Sequence, residues 1–281
     1  MTKRGKEKNG KKTVWTVLAV LSVLILVVCG VSIARQVLQI QQQRQLDSEM
    51  SQIARPSQDP DATPAPTATP DPAQTQEAVP SETVAPVAQE IDFDALHEEN
   101  EEIIAWITLD GTVIDYPLLC RPEDDAYYHT HNVKGQEAVA GSIYIQGSYN
   151  STDFSDFHTV VYGHNMRDGS MFAGLHKFED KDFFDQHDTV VLYTPTQRLT
   201  YTIFAAYARD DAHLMRKFDY STEQGRQAFL DDIFTHSGNF RDVELTNDSQ
   251  ILTLSTCIGS AADQRYVVQA VLTEAAPVAN A

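Results

Sequence analysis

From Val14 to Ala34 the chain reads VWTVLAVLSVLILVVCGVSIA, a run of 21 positions without charge or proline. At a rise of about 1.5 Å per residue, a helix of this length crosses a bilayer core of about 30 Å. The run is longer than the apolar core of a signal peptide, and no small-residue cleavage site follows it, so it predicts an uncleaved anchor. Residues 35–50 are Gln-rich and predict a continuing helix. Residues 51–90 have no apolar periodicity and hold eight of the chain's twelve prolines. They read as an extended, semi-rigid spacer that holds a domain off the membrane. The folded domain is expected from Ile91 to about Glu274, with a small-residue tail at 275–281.

Within that domain the pattern first has a helical period. Phe93, Leu96, Ile103 and Ile104 fall near one face, and Asp92 is placed to cap them, predicting a helix over 92–106. Short runs rich in Val, Ile, Thr and Tyr follow, at 107–109, 112–118, 140–146, 158–163, 189–194, 199–207, 250–256 and 265–273. Gly, Asn, Asp and Pro separate them. Eight short strands at this spacing predict a closed β-barrel or a sandwich. The one long gap, 208–248, contains a helical pattern. Ser221 is placed as its cap, Phe229, Ile233 and Phe234 share one face, and Gly238 ends it.

Charge adds a direction. The 281 residues carry a formal net charge of −19. Residues 1–13 hold six basic side chains (Lys3, Arg4, Lys6, Lys8, Lys11, Lys12) against Glu7, a local +5, which leaves −24 on the remainder. The basic tail predicts a cytoplasmic N-terminus and an outward-facing domain. The acidic body argues against a nucleic-acid partner. Three cysteines, Cys29, Cys120 and Cys257, exclude a disulfide-stapled fold and a four-cysteine zinc site.

Cys257 ends a strand, and Arg265 opens the next after a loop at 258–264. If the two strands form an antiparallel hairpin, a thiol comes beside a guanidinium. Neighbouring positive charge favours the nucleophilic thiolate. Arginine keeps its charge, and its fork of donors suits a carbonyl or a developing oxyanion. Among nine histidines, His164 directly follows an apolar strand and Gly163, where a turn exposes it at the sheet rim. His158, on the same strand, reads as a surface residue. His129 and His131 form an H-x-H pair with no third ligand, so they read as solvated loop residues and no metal site is expected. His97, His176, His187, His213 and His236 read as structural, Cys29 as an apolar residue of the anchor and Cys120 as packing. These residues alone leave two readings of Cys257 open: a small core residue at a strand end, or the nucleophile of a Cys/His enzyme.

The motifs T-L-S-T-C at 253–257 and Y-G-H-N-M at 162–166, with Arg265 eight residues after the cysteine, resemble the sortases of Gram-positive bacteria. The likeness to class B extends to DGTVIDYPLL (110–119) and RDGSMFAGL (167–175) and covers about residues 92–273. It implies an eight-stranded β-barrel with an N-terminal helix and a second helix in the long loop between the sixth and seventh strands. It implies His164, Cys257 and Arg265 as the catalytic set, with Ser255, Thr256 and Tyr162 lining the peptide groove and no cofactor. The implied activity is cleavage of a C-terminal sorting motif in secreted proteins at a Thr–Gly-like bond. A thioacyl-enzyme forms and is resolved by an amine of peptidoglycan or its lipid-linked precursor, or by a pilin lysine. Gln146 stands where the family often has an acidic residue, so no His-orienting carboxylate is assigned. Two alternatives remain: an L,D-transpeptidase-like acyl-transferase, disfavoured by Thr256 before the cysteine and by the long Cys–Arg spacing, and an inactive surface scaffold.

Overall fold

The structure, a computed structural model, describes residues 4–56, 86–259 and 261–279. The chain divides into two compact units, Met1–Leu46 and Asp47–Ala281. The described part of the first belongs to helix α1 (Arg4–Ala54), which is long and apolar enough to cross a membrane; Val20, Leu24, Leu26 and Val28 along it are exposed.

The second unit starts earlier than Ile91. Met50 and Ala54 are buried within it, the Asp92 amide donates to the Ala54 carbonyl at 2.8 Å, and both Arg55 Nη atoms donate to Asp115 at 3.0 Å. Two apolar positions four apart form a stripe too short to register as a periodic signal. Most of the expected spacer, residues 57–85, lies outside the described residues. At the other end, the expected tail joins the sheet: Ala276 is buried and Val278 bridges Val87.

The helix expected over 92–106 is shorter. Asp92 caps α2 (Phe93–Glu99), its Oδ1 accepting from the Ala95 amide at 2.9 Å. Asn100 ends it, accepting from the Glu102 amide and donating to Tyr128 Oη, both at 2.9 Å. Strand β1 (Ile103–Leu109) then begins, so Ile103 and Ile104 are strand residues. An unbroken apolar run such as IIAWITL fits either period, and tertiary pairing decides.

The strands that follow are β2 (Asp115–Cys120), β3 (Ile143–Ile145), β4 (His158–Tyr162), β5 (Thr189–Tyr193), β6 (Gln197–Asp210), β7 (Gly238–Phe240), β8 (Ile251–Ile258) and β9 (Ala261–Pro277). The order β5-β1-β2-β3-β4-β8-β9-β6, closed by β5–β6 pairing, makes the eight-stranded barrel. The short β7 is an addition on the far half of β6, and it contains the glycine expected to end a helix. Alternation along each strand sends Val161, Leu252, Leu254, Val268 and Ala270 to the interior. The opposite faces of β4, β6, β8 and β9 form a second core under helix α3 (Glu223–Ile233), where Phe229, Leu230 and Ile233 meet Val160, Tyr207 and Val267. Thr222, not Ser221, caps α3 by accepting from the Gly225 amide at 3.1 Å; Ser221 instead donates to Asp219. Ending at Ile233, α3 leaves Phe234 53% exposed instead of on the buried face.

Candidate active site

The nucleophile strand β8 carries Thr253, Ser255 and Cys257 on the face turned away from the barrel interior. Cys257 pairs with Arg265 in the β8–β9 ladder, and Arg265 pairs with Arg209 in the β9–β6 ladder. Cross-strand partners share a face, so the thiol and the two guanidinium groups form one row. Two positions along, Tyr162, Ser255, Val267 and Tyr207 form the parallel row. The hairpin is tighter than the sequence suggests. Strand β8 runs to Ile258 and β9 starts at Ala261, so Arg265 lies inside the ladder.

The turn bearing His164 is fastened to this strand. The Gly163 amide donates to the Ser255 carbonyl at 3.2 Å, and the Thr256 hydroxyl donates to the Gly163 carbonyl at 2.8 Å. Gly163 is required by close approach: a Cβ there would lie 2.5 Å from Ile143 Cδ1 and 2.6 Å from Phe172 Cγ. His164 Nε2 donates to the His129 carbonyl at 2.7 Å. That bond puts a proton on Nε2 and leaves Nδ1 as the nitrogen able to take up and release protons. The His129 ring packs on the His164 ring with centroids 4.4 Å apart.

These residues line a cleft of about 230 Å³. His164, Cys257, Arg265, Tyr162, Ser255 and Thr256 all border it, as do His129, Tyr144, Arg209 and His213. Tyr144 and Tyr162 stack with ring centroids 5.6 Å apart. Burial, with the Cys257 charge adding to it, pushes the Tyr144 phenol up to about 12. Burial, together with His164 and Arg265 nearby, pushes His129 down. Cys257 is half-buried, whereas Cys120 is buried and pushed up to about 11 by burial and nearby carboxylates. Cys120 therefore stays a packed thiol.

Other sequence expectations change. His158 is 1% exposed rather than a surface residue, because it points into the second core; its Nε2 lies 2.8 Å from Thr253 Oγ1. His131 stacks on Tyr127 with centroids 4.0 Å apart and donates to the Tyr127 carbonyl at 2.9 Å. Sequence reasoning missed Asn165 and His176, whose side chains reach the Cys257 carbonyl at 3.0 and 3.1 Å. Asn165 stood within the quoted motif; for His176 the sequence holds no signal. Among the described residues no cluster of metal-ligating side chains occurs.

A half-exposed thiol paired with a guanidinium, beside a histidine held on a clamped turn, defines a site for cysteine acyl transfer. Comparison with known proteins makes the class specific. A sortase-domain family profile matches residues 120–273, more than half of the chain. Sortase B of Listeria monocytogenes is 37% identical over 164 residues, 58% of this chain and 65% of that protein. The chain thus spans slightly under two thirds of that relative's length. The crystal structure of Clostridium perfringens sortase B superposes with a TM-score of 0.60 at 30% identity, covering 65% of this chain and all of that one. A class B sortase of Streptococcus pyogenes involved in pilus biogenesis gives a TM-score of 0.57 at 31% identity, covering 64% of this chain and 97% of its own. The chain belongs to the sortase family, class B. An L,D-transpeptidase is thereby set aside.

Proposed function

We propose that this protein is a membrane-anchored cysteine transpeptidase and endopeptidase of the sortase B type. It cleaves a C-terminal sorting motif of secreted proteins at a Thr–Gly-like bond and passes the acyl fragment to an amine of peptidoglycan or its lipid-linked precursor. The observation that carries this reading is the Cys257–Arg265 ladder pair facing the same cleft as His164. The Cys257 thiol gives its proton to His164 as its sulfur attacks the threonine carbonyl carbon. Arg265 holds the sorting peptide and shares in stabilising the oxyanion. The C–N bond breaks, and His164 gives its proton to the leaving amine. The incoming amine then attacks the thioester, His164 takes its proton, and the C–S bond breaks, the Cys257 sulfur regaining that proton as the thiol. Ser255, Thr256 and Tyr162 line the peptide groove, and the segment 208–248 forms its other wall. Residues 1–13 lie in the cytoplasm, 14–34 cross the membrane, 35–46 form the juxtamembrane segment, and the catalytic domain, which begins at Asp47, faces outward.

The acceptor has a second reading, a lysine of a pilin subunit, favoured by the similarity to the streptococcal class B sortase involved in pilus biogenesis. Both readings share the first half-reaction. Mass spectrometry after incubation with L-P-x-T-G, N-P-x-T-x and S-P-x-T-G peptides tests it. An acyl adduct on Cys257, absent from Cys257→Ala, is expected and identifies the motif. No adduct with any peptide, from a folded protein whose Cys257 still alkylates, refutes it.

A further inference from the structure

The Ser255 carbonyl points toward β4 and accepts from the Gly163 amide. Two residues on, the Cys257 carbonyl points the same way. There β4 has ended at Tyr162, so no strand offers the next donor. On its other side the β8–β9 register shifts immediately after Cys257, before Ile258 pairs with Ala261, so the ladder is irregular at the nucleophile. A backbone carbonyl in this position needs a partner, and an unheld one leaves its residue mobile.

Two side chains supply that partner. Asn165 Nδ2 donates to the Cys257 oxygen at 3.0 Å, and His176 Nε2 lies 3.1 Å from the same oxygen and 3.0 Å from Asn165 Nδ2. His176 is itself fixed at three points. Its Nδ1 donates to Glu179 Oε1 at 2.6 Å, which leaves Nε2 facing the Cys257 oxygen and the Asn165 amide. Its face stacks on Tyr266 with centroids 5.0 Å apart. Its 3-10 helix (Phe172–Glu179) is tied back to the site, because the Phe172 amide donates to the His164 carbonyl at 2.9 Å. The turn that makes this possible carries strain: Met171, between the Asn165 loop and that helix, has φ of 54°. A non-glycine residue held there marks a geometry over-determined by its surroundings. The carbonyl of His164 and the carbonyl of Cys257 are thus held by one continuous segment, 165–179.

We propose that Asn165 and His176, backed by Glu179, are positioning residues that fix the main chain of Cys257 against the His164 turn, in place of the strand partner that β4 does not provide. They touch neither substrate nor the reacting sulfur. This role rests on the acyl-transfer reading only for its kinetic consequence; the hold itself is a property of the resting protein.

The test uses the full chain in detergent micelles with carbonyl-13C cysteine, the Cys257 resonance being assigned from Cys257→Ser. Asn165→Ala and His176→Phe, the latter keeping a ring on Tyr266, are expected to move the Cys257 carbonyl shift upfield and leave Cys120 unchanged. For a sorting peptide, kcat is expected to fall about tenfold, the equivalent of one lost hydrogen bond, with KM little changed. His176→Gln, which restores a nitrogen donor, is expected to recover most of both effects. The double variant is expected to lose less than the product of the single losses, because both side chains meet the same oxygen. An unmoved Cys257 carbonyl in the single variants overturns the proposal. So does a kcat loss that His176→Gln fails to repair and that tracks a fall in Tm, which is the signature of a purely structural role. If the parent chain turns over no peptide, the acyl-transfer reading fails, while the carbonyl shift still decides the hold.

Discussion

Acidification should destabilise this domain through one buried imidazole. His158 is 1% exposed, with Phe229 4.3 Å and Tyr220 5.1 Å away between ring centroids, Thr253 2.8 Å from Nε2, and no partner for Nδ1 among the described residues. Burial, with the nearby Arg209 charge adding to it, pushes it down to about 3. In the unfolded chain it titrates near 6.5. Between those values the unfolded state binds a proton that the folded state refuses, so stability falls as pH falls. The penalty is absent above about 6.5, grows by roughly 1.4 kcal/mol per pH unit below it, and is on the order of 3 kcal/mol at pH 4.5. That is a large share of the roughly 5–15 kcal/mol by which a domain is stable. Urea unfolding of a fragment beginning at Asp47, at pH 7.5 and 4.5, measures it against His158→Gln. The variant keeps an amide for Thr253 and cannot titrate, and carboxylates common to both proteins cancel in the difference. Its loss between the two pH values should be smaller than the parent's by about 2–3 kcal/mol. Equal losses in the two proteins refute the buried neutral histidine.

Three further outcomes follow from other contacts. Arg265→Lys should lower kcat on the order of 100-fold with Tm unchanged, since a point charge replaces a planar fork; near-parent turnover removes the assigned role. Gly163→Ala should cost about 1–3 kcal/mol in urea unfolding and lower kcat as well, because its Cβ meets Ile143 and Phe172 at 2.5 and 2.6 Å; a neutral substitution shows that the turn is loose. Met50→Ala should cost about 2–5 kcal/mol, and a fragment starting at Ile91 should melt lower than one starting at Asp47; matching melting curves place the true boundary at Ile91.

The roles of neighbours were unequally visible along the chain. Cys257 and Arg265 are eight positions apart in a hairpin, and a hairpin's register is a local property. The pattern of two strands around a short turn therefore carries their proximity. Thr253, Ser255 and Cys257 share a face for the same local reason. His164 announced itself by its place after an apolar strand and a glycine. Asn165 stood in the same motif, yet its bond to residue 257 depends on β4 ending where it does, which no spacing encodes. Likewise His158 has the polar flank of a surface residue, and only the packing of α3 across β4 buries it.

Composition and local period settled what depends on near neighbours. These are the apolar helix at the N-terminus, the eight barrel strands, the cap at Asp92, and the motif that joins the chain to its family. Such features arise from residues within a few positions of one another, where backbone geometry and side-chain alternation act directly. Tertiary structure decided what depends on which surfaces meet. Residues 103–106 became strand because β2 pairs along them and β5 joins from Trp106. Met50 and Ala54 joined the second unit because they pack within it rather than through any periodicity of their own. The Cys257 carbonyl came to be held by side chains because the neighbouring strand stops short of it. In each case the deciding energy lies in burial and hydrogen bonding between segments far apart in sequence, which exist only once the barrel has closed.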